Sequence, residues 1–307
     1  PRFLERWTTR TRDESGATIV HYLGVMPAIL LNMPPSDDET AHRVKFGFGA
    51  GVNPKHHAPF EERFGFPLVE AWAMTETGAG GCIIANREPR HVGTSCFGKP
   101  EPAVETRIVD EEDADVPTGG EGELLVRAAG SDPRKGFFTS YHKNPEETAK
   151  AWEGGWLHTG DVVRVGPDGA FHFVDRRKNV IRRSGENISA LEVEAVLSLN
   201  PAIDQVVVAA VPDEMRGDEV LALIILKPGG AGDRAAAEAI FADAMADLVY
   251  FKAPGYVAFV DAFPLTASQK PKRADVKALG RTLVEEGAAF DLRALKKRPK
   301  MERSAAS

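Results

Sequence analysis

Apolar and polar positions change rhythm along the chain, and each change marks an element. Val163 and Val165 alternate with polar neighbours, Gly166-Pro167-Asp168-Gly169 is a turn, and Phe171 and Phe173 alternate on the return, which predicts a β-hairpin. The pattern then turns basic: Arg176, Arg177, Lys178, Arg182 and Arg183 crowd around Val180-Ile181. Ser184-Gly185-Glu186-Asn187 follows as a small-residue loop that runs into a helix. An isolated carboxylate, Asp161, precedes the hairpin. A lone acid followed by a cluster of cations suits a ligand with both hydroxyls and phosphates.

Earlier in the chain, an apolar helix-like run from Leu23 to Leu31 is stopped by Asn32-Met33-Pro34-Pro35. Val44 to Gly51 reads as a strand entering a glycine-rich turn. Asn53-Pro54 starts a helix and Gly65 stops it, with Pro59 leaving open whether the helix is continuous. Pro67 to Trp72 forms a second short strand that opens into residues 73–81, rich in Thr, Glu and Gly. Two strands that each empty into a glycine-rich loop are how an open α/β sheet places ligands at its carboxyl edge. Glycines let backbone amides approach a ligand, and Thr75 adds a hydroxyl for a phosphate. Glu76 would repel that phosphate unless a cation lies between them, and magnesium resolves the conflict. The plainer alternative is a surface acid on a glycine turn.

From Val92 to Arg127 the pattern is β-rich, with Val104–Val109 and Glu123–Arg127 alternating around a solvated acidic loop, Asp110 to Asp115. Asn144-Pro145 opens a short helix. Ser189 to Glu192 is a capping box for a helix with Val193, Val196 and Leu197 on one face. Val206–Val211 and Val220–Leu226 read as strands, Asp233–Leu248 as an alanine-rich helix, and Tyr256–Val260 as a further strand. Together they make a compact α+β unit. It closes in a loop, Phe263 to Arg273, that carries Lys270, Lys272 and Arg273 and is expected to be exposed. Lys296 to Ser307 reads as a disordered basic tail without function.

Composition narrows the classes. With 307 residues there is room for about two domains. Hydrophobic and charged contents of 43% and 27% are those of a soluble globular protein. A net charge of -7 argues against generic nucleic-acid binding. Cys82 and Cys96 are too few for a disulfide framework and are expected to be reduced thiols of a cytoplasmic protein. No apolar run reaches the ~18–20 residues of a membrane span, since Val25 to Leu31 is broken by Pro27.

Taken in order, these residues resemble the adenylate-forming (ANL) acyl-CoA synthetases, the superfamily that also holds luciferases and nonribosomal peptide adenylation domains. Phe48-Gly49-Ala50-Gly51 stands at the family's adenine loop, which more often reads GGAP. Trp72-Ala73-Met74-Thr75-Glu76 matches its aromatic-Gly-x-Thr-Glu motif, with Ala73 replacing glycine. Gly122-Glu123-Leu124, Thr159-Gly160-Asp161, Asp175-Arg176 through Gly185-Glu186-Asn187, and Thr266 through Lys270 follow in the family's order. The implied fold is α/β, an incomplete large domain with a β-rich subdomain followed by a small α+β domain. The implied division is 1–176, 177–295 and a tail, 296–307.

The resemblance also implies roles. Trp72 and the backbone of Gly49, Ala50 and Gly51 would sandwich adenine, with Phe173 also on the nucleotide. Thr75 would bond phosphate and Glu76 would hold Mg2+. Asp161 would accept from both ribose hydroxyls, assisted by Arg176, because an acceptor-only carboxylate suits a vicinal diol. Lys178 would be the hinge on which the small domain turns, and Lys270 the catalytic lysine that this domain brings to the acid. Gly185 would leave room for the pantetheine of coenzyme A. Tyr22, Gly49, Ala71 and Gly78 would line the acyl pocket. The cations around Lys178 then read mostly as a charged domain joint.

The implied activity is that of an ATP-dependent acyl-CoA ligase, with ATP/AMP, Mg2+ and coenzyme A as cofactors. The substrate is a carboxylic acid, medium-chain or carnitine-like, since Tyr22 through Met26 and Phe48 through Pro54 look most like the crotonobetaine/carnitine-CoA ligase subgroup. The family also allows a homodimer. The alternatives are an enzyme that loads a carrier-protein thiol and a non-catalytic nucleotide-binding relative. Gln269 stands before the lysine where glycine is usual, and Asn187 where some relatives carry arginine. No glycine-rich phosphate loop with its lysine occurs here. That loop would precede residue 1, so this piece alone is expected to adenylate poorly.

Overall fold

The computed structural model describes residues 16–36, 39–78, 81–265 and 271–296. It divides into two compact units, Pro1–Val174 and Asp175–Ser307.

The first unit holds two sheets. In one, β1 (Ile19–Leu23), β2 (Phe46–Ala50) and β3 (Leu68–Trp72) run parallel, and β4 (Ile83–Ile84) joins β3 antiparallel. Helix α1 (Val25–Leu31) follows β1, so Leu23 closes a strand instead of opening the helix. Helix α2 (Pro54–Phe64) follows β2. The Asn53 side chain accepts from Lys55 N at 3.0 Å, and Gly65 ends the helix with φ +73°. Pro59 lies inside this helix without interrupting it. Phe60 and Phe64, stacked at 4.5 Å, are buried in the core with Phe66 and Leu68. Burying those rings outweighs the one backbone bond that proline cannot donate.

The second sheet is antiparallel, in the order β5 (Cys96–Gly98), β9 (Phe171–Arg176), β8 (Leu157–Val165), β7 (Glu121–Ala128), β6 (Val104–Val109). Helix α3 (Pro145–Ala151) is capped by Asn144, whose side chain accepts from Glu147 N. Trp72, at the end of β3, is buried in the second sheet's core with Phe97, Leu124, Leu157 and Val163, so one side chain ties the two sheets together.

In the second unit, residues 177–179 form a single 3-10 turn. β10 (Ile181–Arg183) and β11 (Glu186–Ile188) pair around Ser184-Gly185, both at positive φ. This stretch is therefore a tight two-residue hairpin turn instead of a loop running straight into a helix. Helix α4 (Ala190–Leu197) follows, with the Ser189 side chain accepting from Glu192 N at 3.2 Å. β12 (Ile203–Asp213) and β13 (Gly217–Leu226) form a long antiparallel pair. α5 (Arg234–Asp247), β14 (Tyr256–Phe259), α6 (Arg273–Glu285) and β15 (Phe290–Asp291) complete the unit. β13 is its spine. Val220, Ala222 and Ile224 enter one core with α4 and α5, while Leu221 and Leu223 enter another with Val276 of α6. A strand buried on both faces loses polar alternation, hence its continuous apolar run.

Three expectations about cations are corrected here. Arg183 is buried and its Nε donates to Glu219 at 2.8 Å, so it belongs to the interior and not to an exposed cluster. Arg273 opens α6, and its guanidinium grips both carboxylate oxygens of Glu194 at 2.8 and 2.7 Å instead of lying in an exposed loop. Lys296 is not tail: its side chain is 1% exposed and its ammonium lies 2.5 Å from Glu219. A fully buried carboxylate demands such partners. Residues 297–307 and Lys270 lie outside the described residues.

Candidate functional site

The Thr159-Gly160-Asp161 triplet occupies a bulge. Leu125 pairs with His158 and Glu123 with Val162, so Leu124 alone faces the three residues between. Bulging strips backbone groups of their ladder partners, and side chains replace them here. Thr159 Oγ1 donates to Leu124 O at 2.6 Å and accepts from Asp161 N at 3.1 Å. Glu123 Oε1 accepts from Gly160 N at 2.9 Å. Gly160 sits at φ +68° with open space around an added Cβ, so glycine is required for its conformation and not for room.

The bulge delivers Asp161 inward. It is 3% exposed, and its Oδ2 accepts from Trp72 Nε1 at 2.9 Å. Trp72 lies near Phe97, ring centroids 6.2 Å apart. A carboxylate offers about four acceptor sites, so an indole bond and a diol are compatible.

The glycine-rich loop after β2 is held from beneath by a residue that sequence reasoning missed, Glu70. This carboxylate, 5% exposed, accepts from Gly51 N at 2.9 Å, from Val52 N at 3.3 Å and from the Tyr22 hydroxyl. Burial pushes the Glu70 carboxyl up, against the pull of its three donors. Burial and the adjacent Glu70 carboxylate also raise Tyr22, which keeps its proton and stays a donor. Tyr22, expected to line the acyl pocket, is buried, and its hydroxyl donates to Glu70. Gly49 must be glycine because an added Cβ would come 2.2 Å from Tyr22 O. Ala50 and Gly51 are exposed, and Gly51 has φ +78°. The signal for Glu70 was present: in β3 it shares the buried face with Leu68 and Trp72.

The loop after β3 is wound around Thr77, whose hydroxyl accepts from Met74 N at 3.0 Å and donates to Met74 O at 2.9 Å. Thr75 is exposed on it. Glu76 is half-buried and accepts from the Tyr141 hydroxyl at 3.0 Å, while Glu76 O accepts from Phe138 N at 2.8 Å. Gly78 approaches Gly136 so closely that an added Cβ would lie 2.4 Å from its carbonyl oxygen. Ala71 is half-buried and pairs with Ile84. Among the described residues no group of three or more His, Cys, Asp or Glu could hold a metal ion. The single Glu76 carboxylate beside the exposed Thr75 is a donor set that fits magnesium, which commonly takes one or two carboxylates and fills its other positions with ligand and water oxygens. Phe173 is half-buried against the second sheet's core.

In the second unit, Asp175 is the organising group. It is 0% exposed; Oδ1 accepts from Arg176 N at 2.7 Å and Asn179 Nδ2 at 3.2 Å, and Oδ2 from Ser189 Oγ and Leu191 N, both at 3.0 Å. One carboxylate thus fixes both ends of the turn bearing Lys178 and the start of α4. Arg176, Lys178 and Gly185 are exposed.

The model for "AMP-binding enzyme" matches residues 2–132, and that for "AMP-binding enzyme C-terminal domain" matches residues 192–270. A crotonobetaine/carnitine–CoA ligase of Proteus mirabilis (strain HI4320) is 34% identical over 256 residues, 83% of this chain and 48% of that enzyme. The chain spans about half the length of the curated relatives it matches. An anthranilate CoA ligase, AuaEII, solved with anthranoyl-AMP, superposes with a TM-score of 0.73 at 24% identity, covering 92% of this chain and 53% of that one. The amide bond synthetase McbA from Marinactinospora thermotolerans gives 0.71 at 27%, covering 90% and 55%. The fold is that of the acyl-CoA synthetases, and the chain belongs to the AMP-binding, adenylate-forming enzyme family.

Proposed function

We propose that the protein is an ATP-dependent, AMP-forming acid–thiol ligase. The observation that carries this reading is the 2.9 Å bond between Trp72 and Asp161, which joins two motif-bearing strands into one seat. In the first step a carboxylate oxygen of the acid attacks the α-phosphorus of ATP. A P–O bond forms to give the acyl-adenylate, and the bond to the departing pyrophosphate breaks. In the second step the thiolate of coenzyme A attacks the acyl carbon and AMP leaves.

Each residue keeps the role its position suggests. The exposed backbone of Ala50 and Gly51 and the Trp72 and Phe173 rings frame the adenine. Asp161 and Arg176 serve the ribose, and Thr75 donates to phosphate. Glu76 would hold the magnesium ion, which neutralises phosphate charge when bound. Lys270 meets the acid, where a cation offsets charge that develops in the transition state. Lys178, in its short exposed turn, absorbs the backbone change that brings the second unit's groups in and out. Gly185, at the tip of an exposed hairpin, admits the pantetheine arm. The likeness to a crotonobetaine/carnitine–CoA ligase favours a carnitine-like acid, with a medium-chain acid as the alternative.

The test is coenzyme A consumption by the complete open reading frame with a panel of carboxylic acids and ATP. One or more acids should give AMP, pyrophosphate and thioester in equal amounts, and Lys270→Ala should abolish adenylation. Adenylation unchanged in Lys270→Ala, or thioester formed only on a carrier protein, would contradict the reading.

A further inference from the structure

Glu70 is a charged side chain where the fold has least use for one, on the inward face of a central parallel strand and 5% exposed. A buried carboxylate costs several kcal/mol unless its acceptor capacity is filled. Here three donors take up most of it. One comes from β1, the Tyr22 hydroxyl, and two are consecutive backbone amides, Gly51 and Val52, in the loop that follows β2. Gly51 is pinned on its other side as well. A Cβ on Gly24 would lie 1.8 Å from Gly51 O, so only glycine at position 24 lets the loop backbone settle there.

The hydrogen-bond pattern also fixes the kind of group required. Gly51 and Val52 N–H can only donate, and Tyr22 is held as a donor, so all three need an acceptor. An amide in place of the carboxylate would turn an NH2 toward at least one of them.

We infer that Glu70 is a positioning residue for the nucleotide: through Gly51 and Val52 it sets the height and tilt of the loop that faces the base. This inference rests on the proposal that the Gly49–Gly51 loop seats adenine. Core packing alone would be met by any well-fitting side chain and would leave base recognition untouched; a positioning role ties Glu70 to the base specifically.

The discriminating experiment compares AMP with ribose 5-phosphate, which lacks the base, by NMR titration of the 307-residue chain and of Glu70→Gln. Glu70→Gln should weaken AMP about tenfold, the scale of one charge-assisted hydrogen bond, and leave ribose 5-phosphate affinity unchanged. Tyr22→Phe removes one donor and keeps both amide bonds. It should weaken AMP about threefold, and it decides the matter if Glu70→Gln does not fold. Unchanged AMP affinity in the folded variants, or an equal loss for both ligands, overturns the inference and leaves the nucleotide site standing. Failure of the unaltered chain to bind AMP takes down the nucleotide reading and this inference with it.

Discussion

Trp72 and Asp161 stand 89 residues apart in sequence, yet the indole Nε1 donates to Asp161 Oδ2 at 2.9 Å with both side chains buried. Trp72 ends the parallel strand β3, while Asp161 leaves the bulge in β8, and the bond fastens one sheet to the next. Trp72→Phe strips the donor from a buried carboxylate and should cost about 1.5–3 kcal/mol in urea unfolding. Asp161→Asn should cost less, since an amide oxygen still accepts. Paired with Asp161→Ala, which removes the acceptor outright, Trp72→Phe should show coupling of about 1 kcal/mol or more. Additive losses would mean that the bond contributes nothing.

The bulge makes a second prediction. Gly160→Ala meets no neighbour but must hold φ +68°, so it should destabilise by about 1–3 kcal/mol through backbone strain alone. Thr159→Val leaves Leu124 O and Asp161 N without their hydroxyl partner, and should cost about 2 kcal/mol. Both belong in denaturant titrations. A Gly160→Ala chain as stable as the parent would show that the bulge relaxes.

Acid should weaken the first unit through Glu61. Burial alone would raise this carboxyl, but His57, Arg90 and the Leu68 amide outweigh it and hold it at about 2, below its ordinary 4.5. A depressed carboxylate stabilises above the unfolded value and loses that contribution as pH falls toward the folded one. Stability should therefore drop between pH 4.5 and 2 by roughly 3 kcal/mol from this group. Glu61→Gln should flatten that slope in acid-unfolding curves.

Lys296 predicts a slope of the same sign at high pH. Burial lowers its ammonium to about 8 from 10.5, against the pull of Glu219. The unfolded chain holds this proton to higher pH than the folded one, so stability rises with pH from about 8 toward 10.5. Lys296→Met should remove that rise. An unchanged slope in the variant would place Lys296 in solvent.

What could be read from sequence was local. The Asn53, Asn144 and Ser189 caps, the Gly65 stop and the Gly166–Gly169 turn each depend on bonds spanning a few residues. What could not be read depends on distant partners. Glu70 meets Gly51 and Tyr22 only once three strands align, and Arg183 meets Glu219 across 36 residues. Composition counted Arg183 and Arg273 among exposed cations because charge is visible in sequence and burial is not. The β3 alternation did place Glu70 beside Leu68 and Trp72, and an acid on an apolar face is a question that asks for its donors.

The central claim is that Trp72 and Asp161 form part of a nucleotide seat, and the indole N–H of Trp72 reports on it directly. The chain has four tryptophans, and Trp72→Phe assigns the signal. Titration with AMP should move the Trp72 indole resonance saturably, and Asp161→Ala should abolish that response. A Trp72 resonance that stays fixed while AMP is added would contradict the account.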